Sequence, residues 1–427
     1  MQFFSMDGVF VEFKREYYLN KLIMKKHNGL IKVITGIRRC GKSYLLFNLF
    51  KQHLLNEGVD ESHIIEIPFD SFEFKSFRNP EILYPYIKEK IADDSMYYIL
   101  FDEVQMLEDF ESVLNGLIRI KNADVYVTGS NARFLSKDII TEFRGRGDEL
   151  HIRPLSFAEF MQEYDGNKYD AWNEFVLFGG LPPVALLGNS EQKIELLKNL
   201  FKETYINDII SRHNIKNKEE FEELIDILSS GIGSLTNPKK LADTFKSKKN
   251  KTISVNTIKT YLEYLSDAFV VNRAIRYDIK GKKYIDTPHK YYFSDIGLRN
   301  ARINFRQLEE NHTMENIIYN ELVSRDFNVD VGIVPVAGKD KNNKFIRKQY
   351  EVDFVCNKGA KRYYIQSAFL IPDNEKLKQE SNSLIRIDDS FKKIIIVKDT
   401  PAPWYTEDGI MIINIYDFLL NPNSLDL

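Results

Sequence analysis

A short apolar run, Ile31 to Thr35, leads into Gly36-Ile37-Arg38-Arg39-Cys40-Gly41-Lys42-Ser43, and a stretch with helical spacing, Ser43 to Leu55, follows it. The loop fits G-x-x-x-x-G-K-[ST] in full. Each position has a physical task in that pattern. The glycines let the backbone bend around a phosphate with no Cβ in the way. Successive N–H groups and the start of the helix then face the anion. Lys42 is expected to reach the β- and γ-phosphates, and the Ser43 hydroxyl to ligate Mg²⁺. A glycine turn before a helix matches four fixed positions only by chance, each being met at frequencies of order a tenth or less. Residues Gly36 to Ser43 are therefore the expected cradle of ATP, with Mg²⁺ as its companion ion.

The first third of the chain repeats the alternation. Ile64 to Pro68, Tyr97 to Phe101 and Val125 to Thr128 are short apolar runs, separated by longer amphipathic stretches such as Asn79 to Ile91. Runs apolar throughout, alternating with helices, predict an α/β fold with a buried parallel sheet. The Tyr97 run ends on Asp102-Glu103, which such a sheet delivers at its C-terminal edge, where ligands bind. Asp102 is expected to share the metal with Ser43. Glu103 is expected to orient and deprotonate the attacking water, a contribution of roughly 10²–10⁴-fold. An acidic strand end of no catalytic meaning has the same local sequence. The Val125 run passes through Thr128-Gly129 into Ser130 and Asn131, candidates to hydrogen-bond the γ-phosphate or the water, with Thr128 behind them. A hydroxyl-rich turn capping the next helix reads the same way. Arg144 or Arg146 offers a cation for transition-state charge, across a subunit boundary as an arginine finger, or else a solvated charge cluster before the strand Glu149 to Arg153.

The pattern changes after about residue 155. Phe157 to Glu223 reads as helices broken at Gly179-Gly180 and Pro182-Pro183, and Leu224 to Tyr277 as several short helices. A turn-rich stretch, Asp278 to Pro288, then precedes a strand at Lys290 to Phe293. A helix at His312 to Arg325 leads to strands at Val329 to Val336, Tyr350 to Cys356, Arg362 to Gln366 and Lys393 to Val397. The composition, 43% hydrophobic and 28% charged over 427 residues, is that of a globular protein with a real core. A net charge of −3 excludes a uniformly basic coat for a polyanion, though not a local basic face. Two cysteines are too few for a disulfide framework and favour a reducing compartment. With no secretory signal and no apolar run near the ~18 residues that span a bilayer, the expected location is the cytoplasm. The seven histidines show no metal-ligand spacing.

Taken together, these residues resemble the AAA-type ATPases of bacteria and archaea that carry a C-terminal domain of unknown function. The matching pieces are G-I-R-R-C-G-K-S, L-F-D-E-V-Q, V-T-G-S-N-A, G-R-G-D, P-L-S-F-A-E-F at Pro154 to Phe160, F-G-G-L-P at Phe178 to Pro182, Y-F-S-D-I-G-L-R at Tyr292 to Arg299 and E-V-D-F-V at Glu351 to Val355. The resemblance implies an ATP-hydrolysing core whose site neighbouring copies complete in a homo-oligomer. On this reading residues 1–160 form the AAA-type core, 161–215 a helical lid, 216–300 a winged helix-turn-helix module and 301–427 an α/β domain of restriction-endonuclease-like fold.

Two of these parts bear on DNA. Leu241 to Phe245 and Val255 to Leu265 form the expected helix pair, with Ile258, Tyr261, Leu262 and Leu265 inward and Asn256, Thr257, Lys259 and Thr260 outward. Short polar and basic side chains suit a recognition helix, and the lysines from Lys239 to Lys251 suit phosphates. A charged loop beside a protein-packing module is the alternative. In the last domain a nuclease-like metal site requires a helical acid, Glu315 or Glu321, then Asp353, then an acid and a lysine. Those last two places hold Gln366 and Ala368, so the expected scaffold does not cut. The expected activity is Mg²⁺-dependent ATP hydrolysis driving a switch or motor that acts on DNA. The alternative is an ATP-gated protein-interaction module that binds a protein partner and no nucleic acid.

Overall fold

The computed structural model describes residues 13–129, 145–249, 252–306, 309–339 and 345–427. They fall into two compact units. One comprises the chain up to Leu155 with Leu181–Gly188 and Asp267–Phe269; the other comprises Ser156–Gly180, Asn189–Ser266 and Val270–Leu427.

The first unit is built on five parallel strands, β1 (Ile31–Thr35), β2 (Ile64–Pro68), β3 (Tyr97–Asp102), β4 (Ala123–Thr128) and β5 (Gly147–His151), in the order β2-β3-β4-β1-β5. Every residue of β1 and β3 is buried, as expected of central strands covered on both faces. Val33, Ile67, Ile99, Phe101, Val125 and Val127 share one apolar cluster with Leu83 and Ile87 of helix Pro80–Lys90 and Leu114 and Leu117 of helix Phe110–Leu117. Each such side chain contributes about 1.5–3 kcal/mol on burial. The helix at Pro80 begins there because Asn79 accepts the Glu81 N–H at 2.9 Å, while proline has no N–H to leave unpaired. Lys32 is the exception in β1. Its wholly buried ammonium pairs with Asp124, whose carboxylate also accepts the Tyr126 hydroxyl at 2.7 Å and the His27 N–H at 3.0 Å. Because β4 runs between β1 and β3, the C-terminal ends of those two strands lie about 10 Å apart on one edge.

The second unit is helical as far as Asp267, through Lys168–Phe178, Ser190–Asn199, Asn207–Arg212, Lys218–Ser230, Pro238–Lys249 and Val255–Asp267. Its mixed sheet comprises β6 (Val271–Asp278), β7 (Lys283–Phe293), β8 (Asn328–Lys339), β9 (Phe345–Lys358), β10 (Lys361–Ala368), β11 (Lys392–Val397), β12 (Trp404–Tyr405) and β13 (Met411–Asn414). The order is β12-β13-β11-β10-β9-β8-β6-β7. Here the sequence reading of Val271 to Tyr277 as helix is corrected. The segment is a strand paired antiparallel with β7, and a bulge between Ala274 and Arg276 breaks the period-two pattern that marks strands. The expected turn-rich stretch shrinks to the hairpin tip, where Asp278 accepts the Gly281 N–H at 2.8 Å.

Two of the motif segments meet inside this unit. Asp295 caps helix Ile296–Arg302 by accepting the Leu298 N–H at 3.0 Å and takes the Gly180 N–H at 2.8 Å. Gly179 has φ +75°, and a Cβ there would stand 2.3 Å from an Asp295 oxygen. Asn300 binds the carbonyls of Val176 and Leu177 at 2.9 and 3.0 Å. F-G-G and S-D-I-G-L-R are thus two halves of one packed joint. Both cysteines are free and buried, and among the described residues no helix is long and apolar enough to cross a membrane.

Candidate functional site

The phosphate-type loop leaves the end of β1 as expected. Gly36 sits at φ +145°, and a Cβ there would stand 2.2 Å from the Ile152 carbonyl oxygen, so only glycine fits. Ile152 is itself fixed by donating its N–H to the Thr35 carbonyl at 2.8 Å. Gly41 has φ +101° and Arg39 φ +65°. Cys40 turns inward, fully buried, with its thiol 3.5 Å from the Ile152 carbonyl. Lys42, 5% exposed, folds back so that Nζ donates to the carbonyls of Gly36 at 3.0 Å and Ile37 at 3.2 Å. The following helix is α-helical at Lys42–Tyr44 and Lys51–Asn56 and widens to a π-helix over Leu45–Phe50, a distortion frequent at functional sites.

The carboxylates arrive from β3. Asp102 is buried, and its carboxylate accepts hydrogen bonds from the Thr128 and Ser43 hydroxyls. Burial pushes its pKa above the ordinary value, and those two hydroxyls only partly offset this. The Ser43 hydroxyl thus acts on the Asp102 carboxyl, the two residues read from the sequence as metal ligands. A hydroxyl and a carboxylate are the hard oxygen donors that Mg²⁺ takes, so the pair fits such an ion. Glu103 adopts φ +52° just past the strand. Its N–H donates to Thr128 Oγ1 at 3.1 Å, and its carboxylate accepts the Gln105 amide. One fully buried hydroxyl, that of Thr128, thus binds both acidic residues.

The other expected residues divide. Ser130, Asn131 and Arg144 lie outside the described residues. Arg146 is described. Its carbonyl accepts the Ile31 N–H at 2.8 Å at the start of β1, and Nη1 donates to Asn115 Oδ1 at 3.2 Å. That is the sheet edge opposite the loop, so Arg146 does not serve the loop of its own chain. Arg38 and Arg39 lie in the loop itself. The sequence reading missed a polar group beside it. Thr35 Oγ1 donates to Glu149 at 2.7 Å and lies 3.0 Å from His151 Nδ1, at the ends of β1 and β5. Burial holds His151 well below its ordinary pKa, hence neutral. The alternation in G-D-E-L-H is the one signal that could have placed those two side chains on a common face.

In the second unit the expected acids separate. Glu321 pairs with Arg325 at 2.7 Å on its own helix, Glu310–Ser324. Glu315, on the same helix, instead joins Asp353 through Lys290, which no motif had marked. Gln366 is adjacent, its Oε1 3.4 Å from the Asp353 N–H. On helix Val255–Asp267, Ile258, Tyr261, Leu262 and Leu265 are buried while Asn256 and Lys259 are exposed. Lys239 and Lys246 are exposed too, and Asn250 and Lys251 lie outside the described residues.

Comparison with known proteins gives matches to two family models and to two relatives. Residues 28–161 match a family model described as an AAA domain, and residues 169–309 match a domain of unknown function, DUF8612. An uncharacterized protein of Haemophilus influenzae is 34% identical over 95% of this chain and 98% of its own length. Uncharacterized protein MJ1544 of Methanocaldococcus jannaschii is 29% identical over 83% of this chain and 77% of its own. Among solved structures, Aeropyrum pernix Orc1 in complex with DNA aligns at 12% identity, covering 68% of this chain and 92% of that one, with a TM-score of 0.28. Cdc6p of Pyrobaculum aerophilum aligns at 11% identity over 71% and 94%, with a TM-score of 0.30. The chain belongs to the AAA-domain family, in the branch that joins this domain to a C-terminal domain of unknown function.

Proposed function

We propose that the first unit binds ATP with Mg²⁺ and hydrolyses it to drive a conformational switch or motor acting on DNA. The observation that carries the ATPase reading is the buried Asp102 carboxylate at the end of β3, held by the Thr128 hydroxyl on the sheet edge where the loop leaves β1. Ser43 and Asp102 would hold Mg²⁺, which when bound neutralises developing phosphate charge. Lys42, released from the Gly36 and Ile37 carbonyls, would bind the phosphates together with the loop N–H groups. Glu103 would then accept the proton of the attacking water, its backbone held by Thr128. The DNA reading rests on the second unit. Helix Lys218–Ser230, a bridge from Thr236 to His289, helices Pro238–Lys249 and Val255–Asp267, and the β6–β7 hairpin follow in the order of a winged helix. The exposed Asn256 and Lys259 and the hairpin-tip residues Lys280, Lys282 and Lys283 supply polar and basic contacts. Two free, buried cysteines suit a reducing compartment such as the cytoplasm.

The test is steady-state phosphate release with and without duplex DNA at low salt. Mg²⁺-dependent turnover that is abolished by Lys42→Ala and raised by DNA is the expected result. Turnover indifferent to DNA, with a stoichiometric protein co-purifying, would replace the DNA reading by an ATP-gated protein-interaction module.

A further inference from the structure

A restriction-endonuclease-like reading of the second unit implies a divalent metal between a helical acid and Asp353. The residues present do not fit one. Lys290 Nζ, on β7, lies 2.8 Å from Glu315 Oε1, 2.7 Å from Glu351 Oε1 and 3.3 Å from Asp353 Oδ1. Three carboxylates from a helix and from β9 thus converge on one ammonium, and Lys290, Glu315 and Asp353 are all buried. The nitrogen stands where a divalent ion would draw those oxygens to 2.0–2.6 Å, and it excludes that ion by both volume and charge. Two of the three carboxylates have further partners. Glu315 Oε1 also accepts the Tyr292 hydroxyl at 2.6 Å, and Asp353 Oδ2 accepts the Ser367 N–H at 2.9 Å. Gln366 and Ala368, at the last two motif places, add neither a carboxylate nor a cation. Among the described residues no group of three His, Cys, Asp or Glu is arranged to hold a metal.

We propose that Lys290 is the tethered cation of this site, standing in the position of a divalent metal, so that the second unit holds its carboxylate cluster together without metal. The ammonium ties β7, helix Glu310–Ser324 and β9 to one point, as an ion would. Burial strips water from Lys290, Glu315 and Asp353, and the basic groups that face the carboxylates are the Lys290 ammonium and the His312 ring, 3.6 Å from Glu315 Oε2. Burial accordingly drives the Asp353 carboxyl up to about 7, while Lys290, though buried, is held above its ordinary value by Glu315, Asp353 and Glu351. With Lys290 filling the metal's place and Ala368 at the motif's lysine position, the site offers no group to activate water on a phosphodiester.

Nucleotide-free full-length protein titrated with Mn²⁺ and followed by electron paramagnetic resonance tests this independently of the phosphate loop, because substitutions in the second unit leave that loop intact. The wild type and Asp353→Asn are expected to bind Mn²⁺ identically, and neither should nick plasmid. Lys290→Met is expected to gain one further Mn²⁺ per chain with a Kd on the order of 10⁻⁴ M. That gain should vanish in Lys290→Met/Asp353→Asn and be absent from Lys290→Arg, which keeps a cation. Mn²⁺ should also raise the melting temperature of Lys290→Met but not that of Lys290→Arg. Should Lys290→Met fail to fold, the wild-type and Asp353→Asn pair decides alone, equal binding supporting the proposal. A wild-type Mn²⁺ lost in Asp353→Asn, plasmid cleavage that depends on Asp353, or a folded Lys290→Met that gains no ion would overturn it.

Discussion

Thr128 shows how one residue can organise two others. Its hydroxyl has one proton, donated to Asp102, and its oxygen accepts the Glu103 N–H. Thr128→Ser is therefore expected to keep turnover. Thr128→Val, which removes one hydrogen bond from the buried Asp102 carboxylate and one from the Glu103 N–H at about 1–3 kcal/mol each, should lower kcat with little change in KM for ATP. Glu103→Gln should keep nucleotide bound while cutting kcat by about 10²–10⁴-fold. Gln105→Ala, which frees the Glu103 carboxylate from its amide tether, should lower kcat by roughly tenfold, the worth of one hydrogen bond to a charged group. Steady-state kinetics with fluorescent-nucleotide titration read all four. The loop, Asp102 and Glu103 were legible in the sequence because each sits within a few residues of an apolar strand that fixes its direction. Thr128 was seen only as a residue behind Ser130 and Asn131, because its role depends on β4 lying between β1 and β3. Lys290 was invisible for a related reason. The motif expects its lysine two places past Gln366, at Ala368, and only the folded sheet brings one from β7.

At the scale of elements, the joint between Gly179-Gly180 and helix Ile296–Arg302 carries a testable charge. Asp295→Ala removes a helix cap and strands the Gly180 N–H, a loss of about 2–4 kcal/mol measurable by chemical denaturation. Burial pushes the Asp295 carboxyl up to about 6, above the value of an unfolded aspartate, so the folded chain holds this proton more tightly. The stability it contributes is full below the unfolded value and is lost as pH rises through about 6. Relative to Asp295→Asn, which does not titrate, the wild type should gain about 1 kcal/mol between pH 7 and pH 5. A wild type that lost stability relative to Asp295→Asn as the pH fell over that interval would contradict the assignment. The strands β1 to β4 were read closely because each is mostly apolar, whereas β5, Gly147–His151, alternates and was read two residues late, as Glu149 to Arg153. Of the β6–β7 hairpin only Lys290 to Phe293 was read as strand: the bulge in β6 breaks its alternation, so it was read as helix, and the exposed start of β7 was read as turn, while the two-residue β12 carries too little pattern to read.

At the scale of the whole molecule, the proposed function joins a nucleotide site to basic, outward-facing elements. Binding of duplex DNA should weaken with salt, log K falling against log[salt] by about 0.9 for each phosphate contacted. Lys259→Glu should remove DNA stimulation and leave basal turnover intact. Since Arg146 faces away from the loop of its own chain, any contribution it makes to turnover should show as rescue when Arg146→Ala and Glu103→Gln chains are mixed. The central claim is that Ser43 and Asp102 share a divalent ion beside a bound triphosphate. A crystal grown with a nonhydrolysable ATP analogue and Mn²⁺ measures this directly. An anomalous peak between Ser43 Oγ and the Asp102 carboxylate, with Lys42 released from the Gly36 and Ile37 carbonyls onto the phosphates, is the predicted result. A loop still closed on Lys42 at saturating analogue, with no peak beside Asp102, would contradict it.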